Sequence, residues 1–159
     1  MSVRNFVILT TLCLCSVASP ALARGYGDGF GLGGVLVPPG DPVILGTTRL
    51  GDSVGVEVGV GLDVVSEGDD TDTGFVVSVA MRKYWSTEEQ FQPFFGGRAS
   101  LIYVDKGGHE DTLVGLSALV GSEYFLTRRV SLRGEVELGL YFGSIEIRTG
   151  TTLAAFMYL

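Results

Sequence analysis

One histidine is the natural starting point for chemistry, because a neutral imidazole is the side chain best suited to proton transfer near neutral pH. His109 stands in the run Asp105-Lys106-Gly107-Gly108-His109-Glu110-Asp111. Nucleophilic work would also need a serine or a carboxylate held against it. That run contains no serine, and the nearest in sequence, Ser100 and Ser117, fall in stretches that read as strands. A metal site built from His109, Glu110 and Asp111 would need further ligands converging from elsewhere. The plainer reading, an exposed loop histidine, outweighs both.

Carboxylates cluster in two other places. Glu67, Asp69, Asp70 and Asp72 crowd the segment 66–72, a density of carboxylates that could attract calcium, but their spacing does not follow a twelve-residue calcium loop. A solvated loop tip explains them as well. Arg133, Glu135 and Glu137 alternate along one segment, and Glu57, Asp63, Arg82, Arg98 and Glu123 sit at polar positions of others. Charges of both signs on one face can form either a narrow polar conduit or a plug of ion pairs, and the plug is favoured because eight strands leave an interior about filled by side chains.

The elements that must position these residues follow from the pattern of apolar side chains. Val54, Val56, Val58, Val60, Leu62 and Val64 alternate with Gly55, Glu57, Gly59, Gly61 and Asp63, a period of two that belongs to a strand. A helix here would lose about 1 kcal/mol at each of the interior glycines. The signature returns at 130–142, where Val130, Leu132, Val136, Leu138, Leu140 and Phe142 face away from Ser131, Arg133, Glu135, Glu137 and Tyr141. Weaker versions cover 73–85, 92–104, 112–125 and 149–159, and two shorter candidates, 30–37 and 43–50, flank a proline-rich link at 38–42. Eight strands result, with Pro93 near the start of the fifth, where a proline is tolerated. Short turns are expected at 51–53, 86–91 and 126–129, and longer polar loops at 66–72, 105–111 and 143–148. That alternation, with both termini on the periplasmic side, is the habit of a transmembrane barrel.

The first residues carry an address. Arg4, an apolar run from Phe6 to Val17 and the close Ala21-Leu22-Ala23 make a secretory signal peptide, too short for a bilayer span and broken by Pro20. Cleavage after Ala23 leaves 159 − 23 = 136 residues, a single barrel domain at 24–159. Cys13 and Cys15 both lie in the removed segment, so the exported chain would have neither disulfide nor thiolate chemistry; lipid attachment at Cys15 is disfavoured by Leu14 before it. The exported part keeps 10 basic and 18 acidic side chains, a formal −8 that repels nucleic acid.

Alternation alone does not say which face meets water. Mean hydropathy is +0.38 with 24 glycines, yet no long apolar run remains, so the apolar residues are spread over one face of many strands. Strands of about ten residues are long enough to span a bilayer when tilted. Aromatics at the strand ends are expected to form two girdles at headgroup level: Tyr84, Trp85, Phe94, Phe95, Tyr124, Phe125 and Tyr158 at one end, and Tyr103, Tyr141 and Phe142, with Phe75, at the other.

With these features together, the chain resembles the small eight-stranded bacterial outer-membrane β-barrels, of which the transmembrane domain of outer-membrane protein A is the model. The resemblance implies an up-and-down transmembrane barrel in the outer membrane of a Gram-negative envelope. It would be monomeric, in contact with outer-membrane lipid and lipopolysaccharide, and inserted by the barrel-assembly machinery. Such chains generally end on an aromatic residue; here Leu153, Ala155, Met157 and Leu159 keep the alternation, but the last residue is Leu159. The function expected is non-enzymatic, a structural element of the envelope or a surface-binding module, with no cofactor, catalytic residue or metal. A small pore or ligand barrel, an enzyme that edits lipid A, and a soluble periplasmic barrel stand as alternatives.

Overall fold

The computed structural model describes residues 26–27, 29–35, 43–51, 53–67, 70–86, 89–106, 109–143 and 145–159, without the side chains of residues 43, 63–67, 70–72, 106 and 109. The expected export segment at 1–23 lies outside them. The eight strands are β1 (Phe30–Val35), β2 (Val43–Leu50), β3 (Val54–Glu67), β4 (Asp70–Tyr84), β5 (Phe91–Lys106), β6 (His109–Phe125), β7 (Val130–Phe142) and β8 (Glu146–Tyr158). Each pairs antiparallel with its neighbours in sequence, and β1 closes on β8. Closure removes the free sheet edges that would otherwise recruit other chains.

Following paired residues around the wall gives the stagger. Phe156 pairs with Gly33, and the path runs through Leu45, Gly59, Ser78, Ser100, Gly115 and Tyr141 to return to β8 at Glu146. From Phe156 to Glu146 is a stagger of ten residues. Eight strands with that offset tilt by about 40° from the barrel axis, so the return point stands about 25 Å above the start.

Strand ends differ from the sequence expectation at the end of the barrel away from Leu159. β3 and β4 are separated only by residues 68–69, β5 and β6 by 107–108, and β7 and β8 by 143–145. Most of the stretches 66–72 and 105–111, and half of 143–148, are therefore strand rather than loop, and His109 opens β6 opposite Lys106. The alternation of short and long connections is overturned, since the link between β4 and β5 at the other end is longer than any of these three. Polar side chains there do not interrupt the ladder, because backbone pairing continues wherever both strands remain extended. The β2–β3 turn needs Gly51, whose φ of 68° suits a residue without a Cβ. Pro93 sits in the third position of β5, its carbonyl accepting from the Trp85 amide at 3.1 Å.

Burial is inverted relative to a water-soluble protein. Val58, Val60 and Leu62 on β3, Leu116 and Val120 on β6, and Val136, Leu138 and Leu140 on β7 all face outward and are exposed. Arg82, Arg133, Glu57, Glu123 and Glu135 are buried inside. In water, so large an apolar exterior would drive association.

Candidate functional site: an ion-paired lumen

The inward face of β7 supplies Arg133, Glu135 and Glu137, one charge at every second residue, and β3, β4, β5 and β6 bring Glu57, Arg82, Arg98 and Glu123 against them. Glu57 is the hub of the lower tier. It accepts from Arg82 Nη2 at 2.9 Å and from Arg133 Nη1 at 2.5 Å. Arg82 also reaches Glu135 through Nη2 and Nε, at 2.8 and 3.2 Å. Arg133 turns its other arm to Glu123 at 3.2 Å. Glu123 in turn accepts hydroxyl hydrogen bonds from Tyr84 at 2.9 Å, from Tyr158 at 2.7 Å and from Ser131.

Such pairing is what makes the burial tolerable. An isolated ion taken out of water carries a penalty of several kcal/mol, which attraction offsets only when the remaining donors and acceptors are also matched. Aromatic rings complete the shell: Arg133 lies 4.0 Å over Phe156, and Arg82 5.5 Å over Phe94. Below this tier Arg49 donates to Gln92 and stacks 4.4 Å over Tyr84.

A second tier lies farther from Leu159 along the barrel. Arg98 pairs with Glu137 at 2.5 Å and with Glu135, and approaches Glu57 at 3.8 Å. Tyr141 donates to Glu137 at 3.1 Å, and Ser117 donates to the same carboxylate at 3.4 Å. The side chains of Arg98 and Glu137 keep 14% and 16% exposure, against 3% or less throughout the lower tier, so solvent reaches the upper tier only. The ring of Tyr141 lies flat against β6 and β7 because Gly115 and Gly139 leave room; a Cβ at either would stand 2.6 or 2.9 Å from it.

Seven of the eight expected lumen charges thus meet inside the barrel; the side chain of the eighth, Asp63, lies outside the described residues, though its backbone pairs with Gly74 in the wall. The expected girdle needs correction. Trp85, Phe95, Tyr124 and Phe142 are exposed outside, and Tyr103 shares their outward register. Tyr84, Phe94, Phe125, Tyr141 and Tyr158 are buried inside, as core packing and as donors to the ion network. The cause is parity: in the doublets Tyr84-Trp85, Phe94-Phe95, Tyr124-Phe125 and Tyr141-Phe142, consecutive residues of a strand take opposite faces. Arg49, Gln92, Ser131 and Phe156 complete the network without having been among the expected site residues. Gln92 shares its face with Arg98 and Ser131 shares its face with Arg133, a signal present in the sequence, whereas Arg49 lies in a strand with weak alternation. Among the described residues no three His, Cys, Asp or Glu side chains are arranged to hold a metal ion.

No protein-family model matches this chain, and no curated protein matches it in sequence. Among solved structures, the crystal structure of Neisserial surface protein A superposes with a TM-score of 0.55 at 17% identity, covering 82% of this chain and 93% of that one. The fold is that of the small eight-stranded outer-membrane barrels. The barrel also matches Ail, the attachment invasion locus protein of Yersinia pestis, over the same shares of both chains, but at a TM-score of 0.43 and 10% identity that is too loose to bear on it further. Identities this low leave the function of the barrel to its own residues.

Proposed function

We propose that this chain is an exported outer-membrane β-barrel without catalytic activity, serving as a structural element of the envelope or as a surface-binding module through its outer hairpins. The observation that carries the reading is the reversal of polarity between the faces of each strand. On β7, Val136 is 52% exposed and Leu138 56%, while Arg133 between Leu132 and Gly134 is 1% exposed. Lipid is the solvent that favours such an exterior, since each strand pairs with a neighbour on both sides around a closed wall and the outward side chains are apolar. Outer-membrane lipid and lipopolysaccharide are then its surroundings, the barrel-assembly machinery its route of insertion, and the monomer its working form.

The lumen reads as a plug. Among the described side chains, four carboxylates face Arg82, Arg98 and Arg133, with Arg49 as a fourth cation beneath, so this network is balanced in charge. The chain, expressed with its own first 23 residues and recovered from the envelope, should migrate faster on a detergent gel unboiled than boiled. It should also fractionate with the outer membrane. One band, unchanged by boiling, in the soluble periplasm would overturn the reading and turn the apolar faces toward a different solvent. In planar bilayers the plug should hold conductance close to the baseline of the bare membrane.

A further inference from the structure

The outward face of the wall is uneven. Ser122, Gly134 and Leu153 pair in one row across β6, β7 and β8, and that row is low at its centre. A groove of about 350 Å³ opens there, bounded by Val120, Ser122, Val136, Thr151 and Leu153, with Gly134 as its floor. Glu135 gives it only backbone, since its carboxylate is bound to Arg82 and Arg98 in the lumen. Among the described residues, no charged group lines the groove.

The barrel itself does not require a glycine at this position. Gly115, Gly121 and Gly139 face the lumen, where a Cβ would stand within 3 Å of a neighbouring atom, and Gly51 is needed for its positive φ. Gly134 faces outward without a positive φ, and a Cβ on it would meet nothing within 4 Å. Glycine inside a strand weakens it, and often marks a place that something else approaches closely. Here that approach comes from outside the chain, at a depth where the surroundings are hydrocarbon.

Charge at the rim singles out the same two strands. Three connections lie at the Leu159 end: 51–53 contains Asp52, 85–90 contains Glu88 and Glu89, and 126–129, which joins β6 to β7, reads Leu-Thr-Arg-Arg with no acid. Thr127 Oγ1 accepts from the amides of Arg129 and Val130 at 3.2 and 3.1 Å, which holds this turn tight and leaves Arg128 exposed at its tip. From Arg129 to Val136 is seven residues, about 18 Å along the axis at a tilt of about 40°. One leaflet with its headgroups is roughly 20 Å deep.

We infer that the β6–β7 hairpin holds one anionic phospholipid of the leaflet at the Leu159 end, an acyl chain laid in the groove over Gly134 and the phosphodiester head on the basic turn at Arg128 and Arg129. The inference rests on the membrane reading above, and the groove is continuous with the lipid-facing belt described there. The chain packs against the glycine floor and its aliphatic rim, and a guanidinium offers paired N–H donors to phosphate. A zwitterionic head carries its own cation, so a basic turn without a carboxylate favours a head of net negative charge.

The test folds the full exported chain into phosphatidylcholine vesicles containing a small fraction of lipid with a diazirine halfway along one chain, either phosphatidylglycerol or phosphatidylcholine. Modified residues are mapped by mass spectrometry after illumination. At Val120, Ser122, Val136 and Leu153 the phosphatidylglycerol probe should label at least about fivefold more than the phosphatidylcholine probe, the gain from one basic side chain near the surface. Val58 and Val79, exposed on β3 and β4, should be labelled alike by both. Arg128→Gln together with Arg129→Gln should bring the ratio in the groove to one. Gly134→Leu, which fills the floor, should remove label from the groove and leave Val58 and Val79 unchanged. Equal labelling of the groove by the two probes in the wild type, or a preference that survives the double substitution, would overturn the inference and leave the membrane reading standing. Absence of label from the whole outward face would overturn both.

Discussion

Glu135 and Val136 are consecutive, yet one is 6% exposed among guanidinium groups and the other 52% exposed among aliphatic side chains. The inner and outer faces of this wall obey opposite rules. Inside, a side chain is kept by its partners; outside, it is kept by having nothing polar to satisfy. A further contrast divides the interior, where the lower tier is sealed and the upper tier is wet.

The sharpest way to break the contrast is to unbalance the sealed tier. Glu57→Gln leaves Arg82 and Arg133 each short of a charged partner in a dry site, and should cost about 3–5 kcal/mol, read as the urea midpoint of the barrel folded in vesicles. An unchanged midpoint would mean that water reaches the lower tier after all. On the outer face, Val136→Arg should cost about 2–4 kcal/mol in the same assay, the penalty for a cation near the bilayer midplane. A water-facing position would register less than about 0.5 kcal/mol. In the upper tier, Glu137→Gln removes one of two close carboxylates from Arg98 but leaves Glu135 in place, and a loss of about 1–2 kcal/mol is expected. The smallest effect belongs to Glu146→Gln: its pair with Arg148, with side chains 44% and 48% exposed, should contribute less than about 0.5 kcal/mol and vanish in high salt.

The same two faces explain what could be read in advance. Strand number and the fold were legible because Val, Leu and Phe alternate with Gly, Ser and charge over 54–64 and 130–142, and a period of two has a single structural meaning. Strand ends were not: Glu67, Asp70 and Asp105 look like loop residues, but their backbones go on pairing above the apolar belt. That charges would share one face was legible from parity; which of them would meet was not. Glu57 and Arg133 are 76 residues apart and on strands that are not neighbours in the wall, and only the ten-residue stagger brings them together across the lumen. The aromatic doublets were misread as belonging wholly to the girdles, although Tyr84 has the parity of Arg82 and Phe125 that of Glu123.

The closure of β1 on β8 also bears on how the barrel opens in time. β1 has six residues, while β5 and β6 have sixteen and seventeen. A barrel is a ring, so its opening is governed by the shortest join and not by the average one. Local opening draws on the least protected unit of a structure, and among the described residues that unit is β1, held by five residue pairs to β2 and five to β8. Backbone amides along Gly31–Val35 and Ala154–Tyr158 should trade their hydrogens for deuterium first, and those at the middle of β5 and β6 last, with a gradient of rates running both ways around the circumference between them.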